Sequence, residues 1–189
     1  MTRWQKGRGL AAMLALVLAA CAGGGGSRNP GHAYDLGIEA PTARMPALEL
    51  REVRALQPFD GVAMYYRLAY QDGAEVAAFA HARWAAPPAE LVRRQLARAT
   101  RPGTPRCTLD IEVQEFSQVF ETKNGSLALF ELLAELGAPG GRSETRTLRI
   151  YEPNAGPNAA QGANAMQRAV ARAVAELAGW IDGVAGCRS

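Results

Sequence analysis

An alternating strand in the middle of the chain constrains the fold more than any other feature. Residues 107–114 read CTLDIEVQ, with an apolar side chain at every second position, which is the period of a strand with one buried face. Asn124-Gly125 then marks a hairpin turn into LALFELLAEL, and APGGRS marks a second turn into ETRTLRIY. LALFELLAEL also has a helical reading, but the bracketing turns favour a strand. The sequence therefore predicts a three-stranded meander.

The preceding half of the chain predicts three more strands. Residues 47–53 alternate weakly, and residues 62–70 and 75–84 flank QDGA, whose Asp-Gly is a hairpin signal. On the second hairpin strand the small or apolar positions share one face, which predicts that this face packs under a helix. These positions are Val76, Ala78, Ala80, Ala82 and Trp84.

Two helices complete the predicted elements. Pro87-Pro88 ends the hairpin and starts a helix over residues 89–100, and apolar residues at helical spacing predict a long helix over residues 160–182. Because hairpins rather than crossovers join most strands, the predicted fold is α/β. It has a mixed or antiparallel sheet with two main helices packed on one face, in a single domain.

The first twenty residues have the pattern of a lipoprotein signal peptide. Three basic residues precede an apolar run of eleven residues, 10–20. Cys21 follows this run directly and completes the sequence LAAC. The run is shorter than the ~20 residues that a transmembrane helix needs. The small residues before Cys21 suit a peptidase, and its thiol is the group that accepts a diacylglyceryl chain. We expect cleavage before Cys21 and acylation there; an ordinary secretory signal with an incidental cysteine is the alternative.

The precursor divides into three parts, and cleavage would leave a neutral chain. All three basic residues of the leader are lost with residues 1–20, so the remaining 169 residues carry 18 basic and 18 acidic side chains. A neutral domain lacks the basic face that nucleic-acid binding requires. We expect residues 1–20 to be the signal peptide, residues 21–33 the acylated cysteine and a Gly-rich tether, and residues 34–189 the folded domain.

The two cysteines other than Cys21 can pair only with each other. If the chain is exported, Cys107 and Cys187 meet an oxidising compartment, which favours a disulfide over two free thiols. No CxxC or HxxxH spacing occurs, so no metal site is predicted. No cofactor is expected beyond the diacylglyceryl and N-acyl lipid on Cys21.

The chain lacks the residue patterns of common catalytic sites. It has two histidines, of which His32 lies in the predicted tether and His81 lies in a strand, and it has no GxSxG elbow to supply a nucleophile. GAPGGRS lacks the lysine of a phosphate loop. Asp110 and Glu112 share one strand face, where carboxylates are usually solvated. The protein is therefore not expected to be an enzyme.

A basic helical face is the main candidate for a partner or lipid contact. Arg93, Arg94 and Arg98 lie on the polar side of the first predicted helix, and Glu90 precedes Arg94 by four residues, at ion-pair spacing. Arg83 and Trp84 just before the helix are further candidates. A merely solvated face, and a Trp84 that belongs to the core, are the alternatives.

The order of these motifs resembles a known family. The lipobox, YDLG, MYYR, ARWAAPPAELVRRQL, EVQEF and AVARAVAELAGWI are similar to the ABC-type transport auxiliary lipoproteins, including the paraquat-inducible protein C group. The likeness spans residues 34–181, and its most distinctive part is Arg83-Trp84 followed by Pro87-Pro88. YDLG in place of a more apolar opening and the cysteine pair are departures from the family pattern.

The resemblance implies a non-enzymatic role in transport. Family members are expected to work with an MCE-domain protein and its ABC transporter, moving lipid between the inner and outer membranes. Because Ala22 rather than Asp follows Cys21, we expect delivery to the outer membrane, on its periplasmic face. A homo-oligomer is compatible with these features. An interaction or assembly module of another cell-envelope complex is the alternative function, and a lipid-modifying hydrolase is a third.

Overall fold

The computed structural model describes residues 31–153 and 157–188, which belong to one compact unit. The predicted leader, Cys21 and most of the predicted tether lie outside the described residues. The elements are β1 (His32–Tyr34), β2 (Leu48–Ala55), β3 (Ala63–Leu68), β4 (Asp72–Trp84), α1 (Pro88–Ala99), β5 (Cys107–Phe120), β6 (Ser126–Ala138), β7 (Arg142–Pro153) and α2 (Ala159–Gly183).

The strands form one mixed sheet. Their order is β1-β4-β3-β5-β6-β7, and β2 pairs with β5 beside β3. The β1/β4, β2/β5 and β3/β5 pairs are parallel, whereas β3/β4, β5/β6 and β6/β7 are antiparallel. Helix α1 packs on β2 and β5, helix α2 packs on β5, β6 and β7, and the two helices contact each other. The predicted α/β fold, with a mixed sheet and two helices on one face, is confirmed.

The long meander is also confirmed. β5 pairs with β6 from Phe120 and Ser126 at the hairpin to Thr108 and Gly137 at the far end, and β6 pairs with β7 along its whole length. LALFELLAEL is therefore a strand, as the bracketing turns predicted. The second turn requires glycine, because Gly140 and Gly141 both have positive φ angles, of 83° and 75°.

The core lies between the sheet and the two helices. Phe116 of β5 makes edge-to-face contacts with Trp84 and Phe130, at centroid distances of 5.0 and 5.6 Å. α2 covers these rings with an apolar stripe from Ala163 to Ile181. The alternation of β5 predicted this burial, since one face of a strand is apolar only when something covers it.

The helix ends follow the sequence signals. Pro88 occupies the first helical position of α1, where its missing N–H costs nothing, and the Thr100 hydroxyl donates to the Leu96 carbonyl at 2.9 Å at the other end. The side chain of Asn158 accepts a hydrogen bond from the Gln161 amide at 3.0 Å and caps α2. Among the described residues, no helix is both long and apolar enough to span a bilayer.

Two details differ from the sequence expectations. His32 and Ala33, predicted to be tether, belong to β1 and pair in parallel with Ala82 and Arg83 of β4. A strand of three residues is too short to show a side-chain period. Its pairing with β4 uses only backbone groups, so no sequence pattern predicts it. On β4, the small face predicted to lie under a helix is buried only at its end, since Ala78 and Ala80 are exposed. Irregular pairing of β3 with β4 interrupts the alternation there.

Candidate interaction surfaces

The basic face of α1 is partly used inside the domain. Arg93 donates to the carbonyls of Leu50 and Arg51 at 3.3 and 3.2 Å, which ties the helix to β2. Arg94 pairs with Glu90 at 3.0 Å, and both side chains are about half exposed. The predicted ion pair therefore forms, and Arg93 is a structural contact more than a free surface charge.

Near the C-terminal end of α1, arginine side chains donate to backbone carbonyls and not to carboxylates. Arg98 donates to the carbonyl of Gly37 at 3.0 Å, and the guanidinium of Arg44 lies 2.5 Å from the Arg98 carbonyl. In the ranges that the structure describes, neither Arg44, Arg98 nor Arg101 forms an ion pair with a carboxylate. Arg94 and Arg98 remain candidates for the predicted partner or lipid contact.

Arg83 and Trp84 face different environments. Trp84 is 1% exposed and its ring packs on Phe116, so the candidate contact of Trp84 with a partner is corrected: this side chain belongs to the core. The backbone explains the burial, because Trp84 pairs with Tyr34 of β1 and its amide donates to the Val62 carbonyl. Arg83 is exposed and donates to the Trp84 carbonyl at 3.3 Å.

The two histidines lie on neighbouring strands. His32 is in β1 opposite Ala82, and His81 precedes that residue in β4. Together with Tyr34 and Phe79 they line a shallow, mainly apolar cavity beside the start of α2. Neither imidazole is hydrogen-bonded to a carboxylate within the described part of the chain. Residues 31–153 and 157–188 also hold no cluster of three metal-binding side chains.

A row of carboxylates lies on the sheet face opposite the helices, which we call the open face. Besides Glu135, which accepts a hydrogen bond from Ser143, its acidic members include Asp110, Glu112 and Glu115 of β5 and Glu131 of β6. Each of these four is paired with an arginine from a neighbouring strand: Arg51–Asp110 and Arg54–Glu112 from β2, Arg67–Glu115 from β3 at 2.7 Å, and Arg149–Glu131 from β7 at 3.2 Å.

Asp110 and Glu112, which the sequence predicted to be solvated, are instead partly buried in ion pairs. The side chains of Asp110 and Glu112 are only 20% and 16% exposed. Hydrogen bonds from Arg51 hold the pKa of Asp110 below its usual range, against desolvation, and the Glu52 amide donates a further bond at 3.0 Å. The pairing rests on the parallel register of β2 with β5. The only local sequence signal for these ion pairs was the presence of Arg51 and Arg54 in a strand whose apolar alternation is weak.

The cysteine pair is joined across the helix-covered side. Cys107 starts β5 and Cys187 follows α2, their Cα atoms are 5.5 Å apart, and the structure contains a disulfide between them. Both residues are almost fully buried. The bridge therefore ties the end of the last helix to the central strand.

Comparisons with known proteins agree with this architecture. The family model of the ABC-type transport auxiliary lipoprotein component matches residues 37–178. The crystal structure of protein XCC0632 from Xanthomonas campestris, assigned to family DUF330, is similar with a TM-score of 0.62. It is 23% identical, over 76% of this chain and 94% of that chain. A second crystal structure, of an uncharacterized protein, has a TM-score of 0.63 and 16% identity, over 81% of this chain and 99% of that chain. No curated protein matches in sequence.

Proposed function

The chain belongs to the family of ABC-type transport auxiliary lipoprotein components, and from this membership we propose that it docks an MCE-domain partner of an ABC transporter. In this proposal the lipid on Cys21 anchors the protein to the periplasmic face of the outer membrane. The transporter and its partner then move lipid between the inner and outer membranes, with this protein at the outer end. The family match over residues 37–178 is the observation that carries the proposal.

The length of the tether supports a receptor role. Ten residues lie between Cys21 and His32, where β1 begins, so the domain can stand at most ~35 Å from an anchor on Cys21. A protein held so close to one membrane cannot bridge the periplasm by itself. Transport between membranes therefore needs a spanning partner, which is the part proposed for the MCE-domain protein.

The far edge of the sheet supports docking. β1 and β7 are the two ends of the strand path, so the chain from Cys21 enters at one edge and β7 forms the other. β7 pairs only with β6, which leaves one side of its backbone without a strand partner in the described residues. Its Tyr151 is 51% exposed, and the guanidinium of Arg149 lies 5.6 Å from the ring centroid. A free edge with an exposed aromatic suits β-strand addition by a partner.

The anchor is tested by the substitution Cys21→Ser. Without acyl chains the domain has no other strong membrane attachment, so the variant is expected in the soluble periplasmic fraction. Membrane fractionation of cells expressing the wild type, Cys21→Ser and Cys107→Ser measures this, the last being a matched loss of a different cysteine. A Cys21→Ser protein that stays with membranes after a salt wash would contradict the anchor.

The partner is tested by crosslinking in intact cells. A photo-crosslinking residue at Thr147, on the open face of β7, is expected to capture an MCE-domain protein. The same residue at Ala171, on the exposed side of α2, serves as the control position. Mass spectrometry of the captured proteins gives the answer. Recovery of no MCE-domain protein, together with fractionation to the inner membrane, would favour the alternative role in another envelope complex.

A further inference from the structure

The cavity at the β1 end of the sheet is open to solvent on one side and lined mainly by apolar groups. It has a volume of about 450 Å³ and lies between β1, the end of β4 and the first turn of α2. Its apolar lining residues are Tyr34, Phe79, Ala80, Ala82, Ala159 and Ala160. Clefts that bind small molecules usually have volumes of ~300–1,000 Å³ and mainly apolar walls. The size and lining are therefore those of a ligand site.

The position of the two helices explains why this part of the sheet is open. Ala82 precedes Trp84 by two residues, so both side chains face the helix side of the sheet, and Tyr34 of β1 pairs with Trp84. Trp84 is buried, whereas Ala82 and Tyr34 are partly buried against the core. Within the described residues, neither helix packs extensively on β1 or β4. The apolar layer of the core thus continues past the helices into the cavity.

Aromatic contacts hold one wall of the cavity in place. The Phe79 ring packs on Tyr66 at a centroid distance of 4.7 Å, and Tyr66 makes an edge-to-face contact with Phe120 at 5.9 Å. Phe120 is itself buried in β5. This wall is therefore preorganised, and a flexible apolar ligand can enter from solvent without the movement of a strand or helix.

The polar groups of the cavity are few and lie on its exposed side. His32, His81 and Asn158 are the polar lining residues, and all three are exposed. The half-buried part of the lining is apolar instead, with Tyr34, Phe79 and Ala82 in it. Apolar walls with hydrogen-bonding groups at the rim suit an amphiphile whose chain lies along the wall and whose polar head lies at the rim.

The neighbouring segments of the chain offer no side chain that would fill this space. Residues 21–30 lead to His32 and residues 154–156 lead to Asn158, and neither segment contains valine, leucine, isoleucine, methionine or an aromatic residue. The lipid expected on Cys21 is the one large apolar group attached to them. With ten residues between Cys21 and His32, a tether of at most ~35 Å allows that lipid to reach the cavity.

We propose that the cavity holds one acyl chain along Phe79 and Ala82, with the polar head of the lipid at His32 and His81. A phospholipid and the lipid on Cys21 present the same alkyl group, so both are sources of such a chain. The inference deepens the proposed role in lipid transport and rests on it for the biological source of the chain. It does not involve the docking edge, since β7 is the other end of the strand path.

Binding is measured on the mature chain carrying Cys21→Ser, so that no lipid of its own competes. The fluorescent fatty acid dansyl-undecanoic acid should bind saturably, with a blue shift and a severalfold rise in emission. Lysophosphatidylglycerol, which has one acyl chain and a phosphate head, should displace it. This arm reports the cavity without any membrane or partner protein.

Two substitutions fill the cavity from opposite walls. Ala82→Trp on β4 and Ala159→Trp on α2 should each weaken binding of the probe about tenfold or more, because every methylene group displaced from the wall loses its burial. Ala171→Trp, at an exposed position of α2, is the matched control and should bind the probe as the parent does. Circular dichroism shows which variants are folded, and either cavity-filling variant suffices.

Photo-crosslinking in intact cells identifies the source of the chain. p-Benzoylphenylalanine in place of Ala80, which lines the cavity and is exposed, reacts on illumination with nearby C–H bonds of alkyl chains. Mass spectrometry separates an adduct with a phospholipid from a crosslink to the lipid-carrying peptide of Cys21. The same residue in place of Ala171 should give neither product.

The inference fails if the Cys21→Ser protein binds no probe, or if folded cavity-filling variants bind it as the parent does. It also fails if position 80 captures no lipid in cells, and capture of a protein there would assign the cavity to a protein partner. These results leave docking at β7 standing, because the crosslink at Thr147 tests docking separately. Loss of the Thr147 crosslink with lipid binding intact would remove the docking proposal alone.

Discussion

The two faces of the sheet are held by different forces. Under the helices, β5 contributes Phe116 and Cys107 to an apolar layer of interlocking aromatic rings and a disulfide. On the open face the same strand contributes Asp110 and Glu115, which are held by arginines of neighbouring strands. Apolar burial stabilises more than partly exposed ion pairs do. Most of the stability therefore lies on the helix-covered face, while ion pairs between neighbouring strands hold the open face.

Truncating the Phe116 ring should strongly destabilise the helix-covered face. Phe116→Ala removes contacts with both Trp84 and Phe130 and leaves a cavity, so we expect a loss of about 3–5 kcal/mol in the free energy of unfolding. Urea denaturation followed by circular dichroism measures it. Glu115→Gln, one residue earlier but on the open face, is the matched control and should cost clearly less. Equal losses for the two variants would contradict the comparison.

Removing the disulfide should weaken the same face by a smaller amount. The Cys107–Cys187 bridge closes 80 residues of sequence, and loss of such a bridge typically costs about 2–4 kcal/mol. Denaturation of the wild type with and without a reductant, beside the Cys107→Ala/Cys187→Ala double variant, measures the difference. The double variant should be insensitive to reductant. Wild-type stability unaffected by full reduction would show that the bridge contributes nothing.

Local patterns predicted the helix-covered side well. The alternation from Cys107 to Val113 shows which side chains of β5 are buried, and Asn124-Gly125 marks the hairpin between β5 and β6, although the pairing begins at Phe120 and Ser126 and leaves a loop of five residues. A hairpin joins neighbours in sequence, so its two strands and its turn are visible in one short segment. The spacing of apolar residues likewise gave both helices to within a residue or two.

The open face depends on contacts between distant segments, which no local pattern encodes. Asp110 meets Arg51 because β2 pairs in parallel with β5, and 59 residues separate the two. Similarly, β1 is defined by backbone bonds to β4 and not by its side chains. For Trp84, an aromatic next to an arginine suggested a surface, but pairing with β1 and packing on Phe116 bury it. Cys21 lies outside the described residues and stays a prediction.

A close approach of α2 to β5 gives a third test of the covered face. A methyl group at Gly162 would lie 2.1 Å from Oε1 of Gln118, whose amide donates to Ser126 at 2.9 Å in a buried site. Alanine normally stabilises a helix relative to glycine by about 1 kcal/mol. Here the clash should win, and Gly162→Ala should lose about 1–3 kcal/mol.

The matched control for that variant lies on the same helix. Gly179 is exposed and an added methyl group would meet nothing within 4 Å, so Gly179→Ala should stabilise by about 0.5–1 kcal/mol. Thermal denaturation compares the two. Combining Gly162→Ala with Gln118→Ala should recover the helical gain. If Gly162→Ala alone stabilises the protein, the packing of α2 on β5 is looser than the structure shows.

The smallest effect should come from the open face and should depend on pH. Hydrogen bonds from Arg51 lower the pKa of Asp110 in the folded protein, so its contribution to stability is fully present above about pH 3.9, the value for an unfolded chain. The contribution is lost as the pH falls through the lowered folded pKa. Asp110→Asn should therefore be less stable than the wild type at pH 7, and the gap should narrow at pH 3 and below. Arg51→Gln should give the same narrowing, because it removes the partner. Urea denaturation across this pH range measures both gaps, and a gap that stays constant with pH would mean that the pair does not stabilise the open face through the charge of Asp110.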